Sequence, residues 1–429
     1  MLNSNFKFHP VGQGSFYTGH LKLYNKSHKE FNFVYDCGSL SDRNNINESI
    51  KYYKKRLWHN SLDVLFISHL DDDHINGVKD LLDGIRCENI YLPYLTPFER
   101  LFVAITHNLR DVDNFNDFIN FVISPSDYIL SIEGANIGKI NYIKGNSEND
   151  LPHDKAPEKP LNPDNFDNEF IDNLEILLKS EFNEEILKLT KDQKIVFKKA
   201  NGKLKFGIVW EFYLYNEPGT TNQTDNFIES IEKIYGFRVN EQLTQAELNT
   251  ILSARDNLKK LKIKFRNTFK NLNKTGLIVQ HKPLAHKQSF LHKEESFHSN
   301  IEHYFNPFYR RLKRFHFKNI DPIEYNWGVT LLTGDIGLNQ IENSFYVKNH
   351  LNYVLVFQVP HHGSNTGWNR DFLRNLNHKG KTSAIINFGY GNTYGHPKPN
   401  ILLDLDSDNF DIRFCNQFES FEYTIDLMF

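Results

Sequence analysis

Two histidines and three aspartates lie within six consecutive positions, residues 69–74. They follow the apolar run of residues 64–67, Val-Leu-Phe-Ile, which predicts a buried strand. So many titratable side chains in so short a segment would repel and desolvate one another unless a cation bound them. The segment therefore predicts a metal site at the end of that strand.

Alternate residues of a tight turn can point into one cavity, so the candidate ligands are His69, Asp71, Asp73 and His74. We expect His69 and Asp71 to bind a first divalent ion. Asp73 and His74 would bind a second ion, roughly 3.5–4 Å from the first as in known two-metal hydrolases, and Asp73 is also expected to be catalytic. Asp72 is expected to face outward, and the apolar residues that follow predict a helix that begins at the site. An acidic helix N-terminus alone would explain the aspartates but not the histidines.

This segment resembles the metal-binding signature of the metallo-β-lactamase fold, whose common form is His-x-His-x-Asp-His. The sequence departs from that form at Asp71, which stands where the second histidine usually lies. With this aspartate and the Asn-Gly-Val continuation, the segment is similar to the hydrolase domain of the DNA-uptake channel protein ComEC and its soluble relatives. A carboxylate in place of an imidazole makes the site harder, so Mn²⁺ or Mg²⁺ competes better with Zn²⁺ there.

Two later strands each end in residues that fit the same subgroup. The apolar run 330–333 is followed by Gly-Asp, and the resemblance implies that Asp335 bridges both metal ions. The run 353–359 predicts a strand that is followed by Pro-His-His-Gly-Ser. Either His361 or His362 could protonate the leaving oxygen, because imidazole titrates in the right range. These two histidines are therefore expected to be catalytic.

A third predicted strand, residues 383–388, leads to a Tyr-Gly-His-Pro sequence similar to one in ComEC relatives. The resemblance implies that its histidine, His396, is the last metal ligand, whereas the same histidine taken alone would be a loop residue. Ser364 and Asn392 follow the second and third strands and are expected to contact phosphate oxygens of the substrate. Which of the three downstream histidines bind metal is left open by the sequence.

Two other segments resemble parts of the same family. Residues 33–38 resemble one of its early strands, where Asp36 would orient a metal ligand through a hydrogen bond. The alternative for Asp36 is an ordinary turn at a strand end. Residues 273–279 resemble the strand that re-enters the hydrolase core, and His281 or His286 is a candidate for the metal-binding histidine that often follows it. Taken alone, each of these histidines is expected on the surface.

The composition limits the class of protein. The chain of 429 residues is long for one core, and 50 basic against 53 acidic residues exclude a globally basic polymer binder. The three cysteines, Cys37, Cys87 and Cys415, are few, odd in number and widely spaced, which favours a reducing compartment and a cytoplasmic protein. Because the sequence shows no leader and no window of roughly 18 apolar residues, no membrane contact is expected.

We expect an α/β fold: the αββα sandwich that the resemblance implies, interrupted by an α+β insertion. The first half would span residues 1–144, the insertion 145–272, and the second half 273–429 with a smaller insertion at about 281–325. Within the larger insertion, helical spacing predicts a helix in residues 168–189. Residues 205–212 predict a strand that follows a turn at residues 201–202.

Two basic segments raise the question of a polymer substrate. Lys262 and Arg266 lie in a predicted amphipathic helix with many other bases, and Arg310 and Arg311 lie among aromatic residues. Bases and aromatics together are typical of surfaces where nucleotides stack and phosphates bind. We expect these four residues to bind substrate, because a cationic cleft beside a two-metal site concentrates a polyanion. The alternative is a solvated helix face in each segment.

These features predict a metal-dependent phosphodiesterase, and first of all a nuclease that cuts DNA, single-stranded DNA included, with a hydroxide activated by two divalent metal ions. Zn²⁺ or Mn²⁺ is the expected cofactor, with Mg²⁺ as a further candidate. Nucleic acid is the expected substrate, and the insertion would bind an activating protein partner in a defence-type effector. The alternatives are a hydrolase of a small phosphoester or cyclic nucleotide, and a regulatory or binding module that carries a structural metal.

Overall fold

The structure is a computed structural model that describes most of the chain. The described residues are 2–24, 29–106, 112–145, 170–178, 180, 182–200, 202–207, 209–217, 224–236, 243–268, 276–284, 288–297, 321–323, 328–343, 354–376 and 382–428. Within them the chain forms a mixed α/β fold with two mixed β-sheets. The α/β class predicted from the sequence is therefore confirmed.

The first sheet combines antiparallel and parallel pairs. Its spatial order is β13 (Asp321–Ile323), β12 (Gln288–Phe297), β18 (Glu419–Met428), β1 (Leu2–Phe8), β2 (Gly14–Leu23), β3 (Lys29–Ser39), β4 (Ser61–Phe66), β5 (Arg86–Pro93), β6 (Asn136–Lys144) and β8 (Ile195–Lys199). The pairs from β13 to β3 are antiparallel, and those from β3 to β8 are parallel. The parallel strands end at one common edge.

The second sheet has the same mixed character. Its spatial order is β17 (Asp411–Cys415), β16 (Ser383–Asn387), β15 (Val354–Gln358), β14 (Val329–Leu332), β11 (Gly276–Pro283), β10 (Trp210–Glu217), β9 (Gly202–Phe206) and β7 (Phe170–Asp172). Strands β14 to β17 are parallel, and the remaining pairs are antiparallel. The loops after β14, β15 and β16 therefore leave the same edge of this sheet.

Helices cover the outer faces of both sheets. They are α1 (Arg43–Lys54), α2 (Asp72–Ile75), α3 (Val78–Leu82), α4 (Pro97–Thr106), α5 (Val112–Ile123), α6 (Pro125–Leu130), α7 (Glu184–Leu189), α8 (Thr224–Tyr235), α9 (Gln245–Ser253), α10 (Arg255–Thr268), α11 (Leu338–Asn343), α12 (Arg370–Leu376) and α13 (Pro399–Ser407). Short 3₁₀ turns lie at Trp58–Asn60 and Pro360–Gly363. Among the described helices, none has the length together with the apolar character that a membrane span requires.

Side chains of the described residues pack into three hydrophobic cores. The central core lies between the sheets, where Phe33 of β3 meets Phe212 of β10 with ring centroids 4.9 Å apart. Another core lies between the first sheet and helices α1 to α10, and the last between the second sheet and α11 to α13. Along β4, Val64 and Phe66 point to the central core and Leu65 to the helices, because alternate strand residues face opposite sides. This two-sided burial explains the continuous apolar run that precedes the predicted metal site.

The predicted insertions supply strands to both sheets. β8 extends the parallel part of the first sheet, while β10 and β9 extend the second sheet beyond β11. Helices α7 to α10 pack into the core on the outer face of the first sheet. The smaller insertion contains β12, which pairs with β18 along its whole length. The insertions are thus continuous with the sheets, and the domain boundaries stay a prediction.

Two local predictions in the larger insertion are wrong. The helix predicted in residues 168–189 begins only at Glu184, because Phe170–Asp172 pairs antiparallel with β9 as strand β7. The strand predicted at residues 205–212 is broken at Gly207, which turns the chain with a φ of 52° between β9 and β10. In both cases strand pairing decides the structure, and the local hydrophobic pattern does not carry that information.

A chain of hydrogen bonds crosses the central core. The Nε1–H of Trp210 donates to His281 Nδ1 at 3.3 Å, and because an indole nitrogen only donates, His281 carries its proton on Nε2. That Nε2–H donates to the Tyr17 hydroxyl at 2.9 Å, which in turn bonds with the Tyr423 hydroxyl at 2.7 Å. Burial lowers the pKa of His281 to about 3. His281 is therefore a core residue rather than a surface one, and His286 lies outside the described residues.

Candidate metal centre

Loops from both sheets meet where the parallel strands end. The segment from His69 to His74 follows β4 of the first sheet. Asp335 follows β14, and His361 and His362 follow β15 of the second sheet. In sheets with parallel strands, ligand sites form at the carboxyl ends of the strands. We call residues 68–77 the metal loop.

Among the described residues, three overlapping groups of side chains hold their ligand atoms within 4.8 Å of one another. The groups are His69, His74 and Asp335; Asp73, His74 and His362; and His69, Asp71 and Asp73. Imidazole nitrogens and carboxylate oxygens bind divalent transition metals, so these groups could hold a metal ion. With His361, these residues are called the His–Asp cluster below. The sequence-predicted ligands of the metal loop and Asp335 are thus brought together.

Asp335 lies between two pairs of histidines. Its Oδ1 is 3.3 Å from His74 Nε2 and 3.8 Å from His362 Nε2. Its Oδ2 is 3.7 Å from His69 Nε2 and 3.8 Å from His361 Nε2. Each carboxylate oxygen therefore faces a different pair of imidazoles.

Hydrogen bonds at Nδ1 orient the two histidines of the metal loop. His74 Nδ1 donates to Asp36 Oδ2 at 2.8 Å. Ser68 Oγ donates its only proton to the same Asp36 oxygen at 2.7 Å, so it accepts the Nδ1–H of His69 at 2.8 Å. The Ser68 N–H completes the set with a 2.7 Å bond to Asp36 Oδ1. Both histidines are thereby fixed in the tautomer that leaves the Nε2 lone pair for a metal.

His362 is oriented in the same way by the backbone. Its Nδ1 donates to the Asn387 carbonyl at 2.9 Å, and its Nε2 lies 3.0 Å from Asp73 Oδ2. Within the described part of the chain, the buried Nε2 atoms of His69 and His74 have no hydrogen-bond partner. A buried polar atom without a partner is costly. The donor set therefore fits a cation that accepts these lone pairs.

The charges of the cluster also favour a cation. Burial alone would lower the pKa of His74, but the carboxylates around it, Asp36 foremost, raise it well above the ordinary 6.5. Burial also opposes the charged form of His362, but its hydrogen bond with Asp73 and the charge of Asp335 raise its pKa. Burial would raise the pKa of Asp73, yet His74 and His362 beside it lower that pKa. The carboxylate of Asp73 thus stays ionised and attracts positive charge.

The backbone adopts rare conformations where it delivers these side chains. Asp36 is the extra residue of a β-bulge between β2 and β3, at the register shift after Phe16. Its φ is 58°, and φ is 50° at His361 and 55° at His362, all in the left-handed region that side chains disfavour. Such conformations cost of order 1–3 kcal/mol each and persist where the surrounding structure holds them, commonly at functional sites.

Two glycines let the backbone approach the metal loop closely. A Cβ on Gly38 of β3 would lie 2.5 Å from the carbonyl carbon of Asp73 and 2.5 Å from the nitrogen of His74. A Cβ on Gly334 would lie 2.8 Å from Ser68 Oγ, and the φ of Gly334 is +54°. Only glycine therefore lets β3 and the Gly-Asp turn pack directly on the metal loop.

The structure corrects the prediction for Asp72. It was expected to face outward, but it is only 8% exposed, and Asn76 Nδ2 donates to its Oδ2 at 3.3 Å. Helix α2 begins at Asp72 and packs against β3, which turns this side chain inward. Asn76 also donates to the Ser39 carbonyl at 2.7 Å and accepts the Ser39 N–H at 3.0 Å. The predicted helix at the site is confirmed as α2 and α3.

The loop of residues 389–396 is closed by Asn392. Its Nδ2 donates to the carbonyls of Gly389 and His396, both at 2.7 Å. Its Oδ1 accepts the backbone N–H groups of Tyr394 and His396, both at 3.1 Å. Asn392 therefore shapes the loop that carries His396, and its predicted contact with phosphate stays a prediction.

His396 lies next to the His–Asp cluster, with its ring centroid 6.0 Å from that of His361. It belongs to none of the three ligand groups found among the described residues. Burial, together with the charges of His362 and Lys398, lowers its pKa to about 4. Its role as the last metal ligand stays a prediction, whereas His362, predicted to be catalytic, lies within a ligand group.

The predicted substrate-binding residues lie in different regions. Ser364 is buried and directly follows the 3₁₀ turn that carries the two histidines. Lys262 and Arg266 lie on α10, which packs against α4, α8 and α9 in the helical layer on the first sheet. Arg310 and Arg311 lie outside the described residues. Substrate binding by these residues stays a prediction.

Two residues of the site escaped the sequence analysis. Ser68 links Asp36 to His69, and the only signal was its position directly before that histidine. Asn387 acts through its backbone carbonyl, so its residue type carries no signal at all.

Comparisons with family models and with curated proteins found no match for this chain. The geometry of the His–Asp cluster is therefore the basis for assigning a function.

Proposed function

We propose that this protein is a metal-dependent phosphodiesterase, and that it acts as a nuclease on DNA. We also propose that its fold is the αββα sandwich of the metallo-β-lactamase fold, in the ComEC-like subgroup. The order of layers supports the fold assignment, because helices cover the outer face of each of two facing sheets. The order of the motifs along the chain supports the subgroup.

One observation carries the function: Asp335 presents its two oxygens to two different histidine pairs. We assign a first ion to His69 and Asp71 and a second to Asp73, His74 and His362, with Asp335 shared between them. When bound, two divalent cations supply an activated water and neutralise negative charge on a phosphate. Three carboxylates and one hydroxide together balance two divalent charges, so the loaded site carries no net negative charge that would repel an anionic phosphodiester.

The residues of the chain supply binding and proton transfer. The side chain of His361 is 26% exposed, whereas those of His69 and His362 are each 4% exposed. His361 thus has the most exposed imidazole of the four histidines in the cluster, and we assign it the proton given to the leaving oxygen. The buried histidines, fixed through Nδ1, hold their Nε2 atoms in place without reorganisation.

The test combines metal content with turnover. The protein is stripped with a chelator, reloaded with Mn²⁺, Zn²⁺ or Mg²⁺, and assayed for bound metal by elemental analysis and for cleavage of labelled single- and double-stranded DNA. We expect two ions per chain, and cleavage that the double variant Asp73→Ala, His74→Ala abolishes. The matched control is His59→Ala, Asp83→Ala, which removes an exposed histidine and an exposed aspartate and should leave both readouts unchanged.

Other outcomes assign the site differently. Metal-dependent turnover of small phosphoesters without cleavage of DNA would replace the nuclease assignment. Tight metal binding without turnover of either substrate would make the protein a metal-bearing module. A folded protein that takes up no divalent ion would overturn the proposal.

A further inference from the structure

Two exposed tyrosines lie on the loop of residues 389–396. Tyr390 is 62% exposed and Tyr394 is 46% exposed. Their ring neighbours differ: Tyr390 lies 6.1 Å from the ring of Phe418, and Tyr394 lies 5.9 Å from the ring of His396. Large apolar faces are thus offered to solvent by the same loop that carries His396.

The backbone beneath both rings is firmly held. Tyr390 N–H donates to Gln417 Oε1 at 2.8 Å, and Gln417 Nε2 donates back to the Tyr390 carbonyl at 3.1 Å. The Tyr394 carbonyl accepts a 2.9 Å hydrogen bond from Lys398 Nζ. With the four bonds of Asn392 described above, these contacts fix the loop before any ligand arrives. A surface fixed in this way loses little conformational entropy on binding.

Tyr394 also lies beside the His–Asp cluster. The ring of Tyr394 contacts that of His396, which lies 6.0 Å from the ring of His361. His361 Nε2 is in turn 3.8 Å from Asp335 Oδ2. A strand whose phosphate reached the cluster would therefore pass its neighbouring nucleotides over this loop.

We infer that Tyr390 and Tyr394 form a stacking platform for unpaired nucleobases next to the scissile phosphate. The inference rests on the proposed function, because it takes a nucleic acid strand as the substrate. Every base presents a π-face, and stacking on an aromatic side chain contributes about 1–3 kcal/mol per base without sequence preference. Bases inside a duplex are stacked on one another, so the platform selects strands whose bases are free at the site.

A binding experiment without metal tests the platform. Fluorescence anisotropy in the presence of a chelator compares a labelled oligodeoxynucleotide with an abasic strand of equal length and charge. We expect the native protein to bind the strand with bases at least about tenfold more tightly, as base–aromatic stacking implies. The double variant Tyr390→Ala, Tyr394→Ala should lose this ratio, and Tyr390→Phe, Tyr394→Phe should keep it. Trp58→Ala is the matched control. Trp58 is 64% exposed, but it lies just before β4 begins, whereas the metal loop follows the end of that strand.

The two possible failures are distinguishable. Equal binding of both strands by the native protein, or an unchanged ratio in the double alanine variant, would overturn the platform. Cleavage of DNA in Mn²⁺ is measured separately and reports on the proposed function alone. A flat binding ratio with intact cleavage removes the platform only, and a base-dependent ratio without any cleavage removes the nuclease only.

Discussion

At the scale of single residues, the orientation of the histidines in the cluster depends on the residues that bond to their Nδ1 atoms. Asp36 accepts hydrogen bonds from the backbone and hydroxyl of Ser68 and from His74, and Ser68 passes this orientation on to His69. Ligand imidazoles fixed through the other ring nitrogen need no rearrangement when a metal binds. The buried carboxylate of Asp36 is therefore as important to the site as the side chains that point into it.

We predict that Asp36→Asn lowers metal affinity by about 10–100-fold, because the amide disturbs the acceptor that fixes both imidazoles. Isothermal titration calorimetry with Mn²⁺ and Zn²⁺ measures the loss. Asp63→Asn is the control. Asp63 lies on β4 outside the cluster, and like Asp36 it accepts a backbone hydrogen bond, here from the Asn32 N–H at 2.7 Å. Equal affinities in the native protein and Asp36→Asn would contradict the role given to Asp36.

The pH dependence of stability should change sign when metal is bound. In the metal-free protein, the protonated forms of His74 and His362 stabilise the fold, because the pKa of each is raised. This contribution to the free energy of unfolding is complete below the ordinary pKa of 6.5, and it is lost as pH rises through the raised pKa values. The ionised form of Asp73 also stabilises the fold, because its pKa is lowered. This contribution is complete above the ordinary pKa of 3.8 and is lost as pH falls through the lowered pKa. Metal binding instead requires neutral imidazoles, so its stabilisation grows as pH rises.

Urea unfolding at several pH values, with a chelator or with saturating Mn²⁺, checks both slopes. We expect the metal-free protein to lose stability from this cluster on the alkaline side of neutrality, and the loaded protein to gain it there. Parallel pH profiles in the two samples would show that the histidines are not the metal ligands.

At the scale of elements, the site is built from the ends of parallel strands. β4 of the first sheet delivers the metal loop, and β14 and β15 of the second sheet deliver Asp335 and the histidine turn. Close backbone contact then fixes the distance between these loops. Gly38 of β3 lies against the peptide that joins Asp73 to His74, where a side chain has no room.

We predict that Gly38→Ala displaces the metal loop and lowers metal affinity by about tenfold or more, as expected when ligand orientation is lost. Its overpacking should also cost about 1–3 kcal/mol of stability. Gly84→Ala is the control, because Gly84 has a φ of +67° but nothing within 4 Å of a new Cβ. It should lose stability through backbone strain and keep its metal affinity. Calorimetric titration and urea unfolding of both variants separate the two effects.

The strands that carry the site were predictable, because each is an apolar run followed at once by polar residues of unusual type. Buried parallel strands have this continuous pattern. The orientation of Asp72 and the strand at Phe170–Asp172 were not predictable, because each depends on a neighbouring element that is distant in sequence. The support that Asn387 gives to His362 is a backbone contact, and no residue type announces it.

At the scale of the whole molecule, a buried guanidinium adds to the strand pairing and core packing that join the predicted larger insertion to the rest of the fold. Arg100 of α4 donates to Glu185 of α7, to the Ile123 carbonyl and, at 3.0 Å, to Gln245 of α9. Its side chain is 4% exposed. Helices α7 and α9 thus share a hydrogen-bond network with α4 of the layer that covers the first sheet.

We predict that Arg100→Met destabilises the protein by about 3–5 kcal/mol, because it leaves the Glu185 carboxylate without its buried partner. Arg374→Met is the control, since Arg374 pairs with Asp371 at a position where its side chain is 56% exposed. Such a surface pair contributes about 0–1 kcal/mol. Urea unfolding measures both changes, and a loss below about 1 kcal/mol for Arg100→Met would show that the network is dispensable.

The place of Asp335 between imidazoles from two different sheets has a mechanical consequence. An ion bound there would link segments of the chain that are more than two hundred residues apart in sequence. The bound ion closes a long loop in the folded state only. At a free metal concentration of a thousand times Kd, metal binding raises the free energy of unfolding by about 4.1 kcal/mol. Stripping the ion should then lower the melting temperature of both sheets together, in one cooperative step, rather than loosen the edge at which the ion sits.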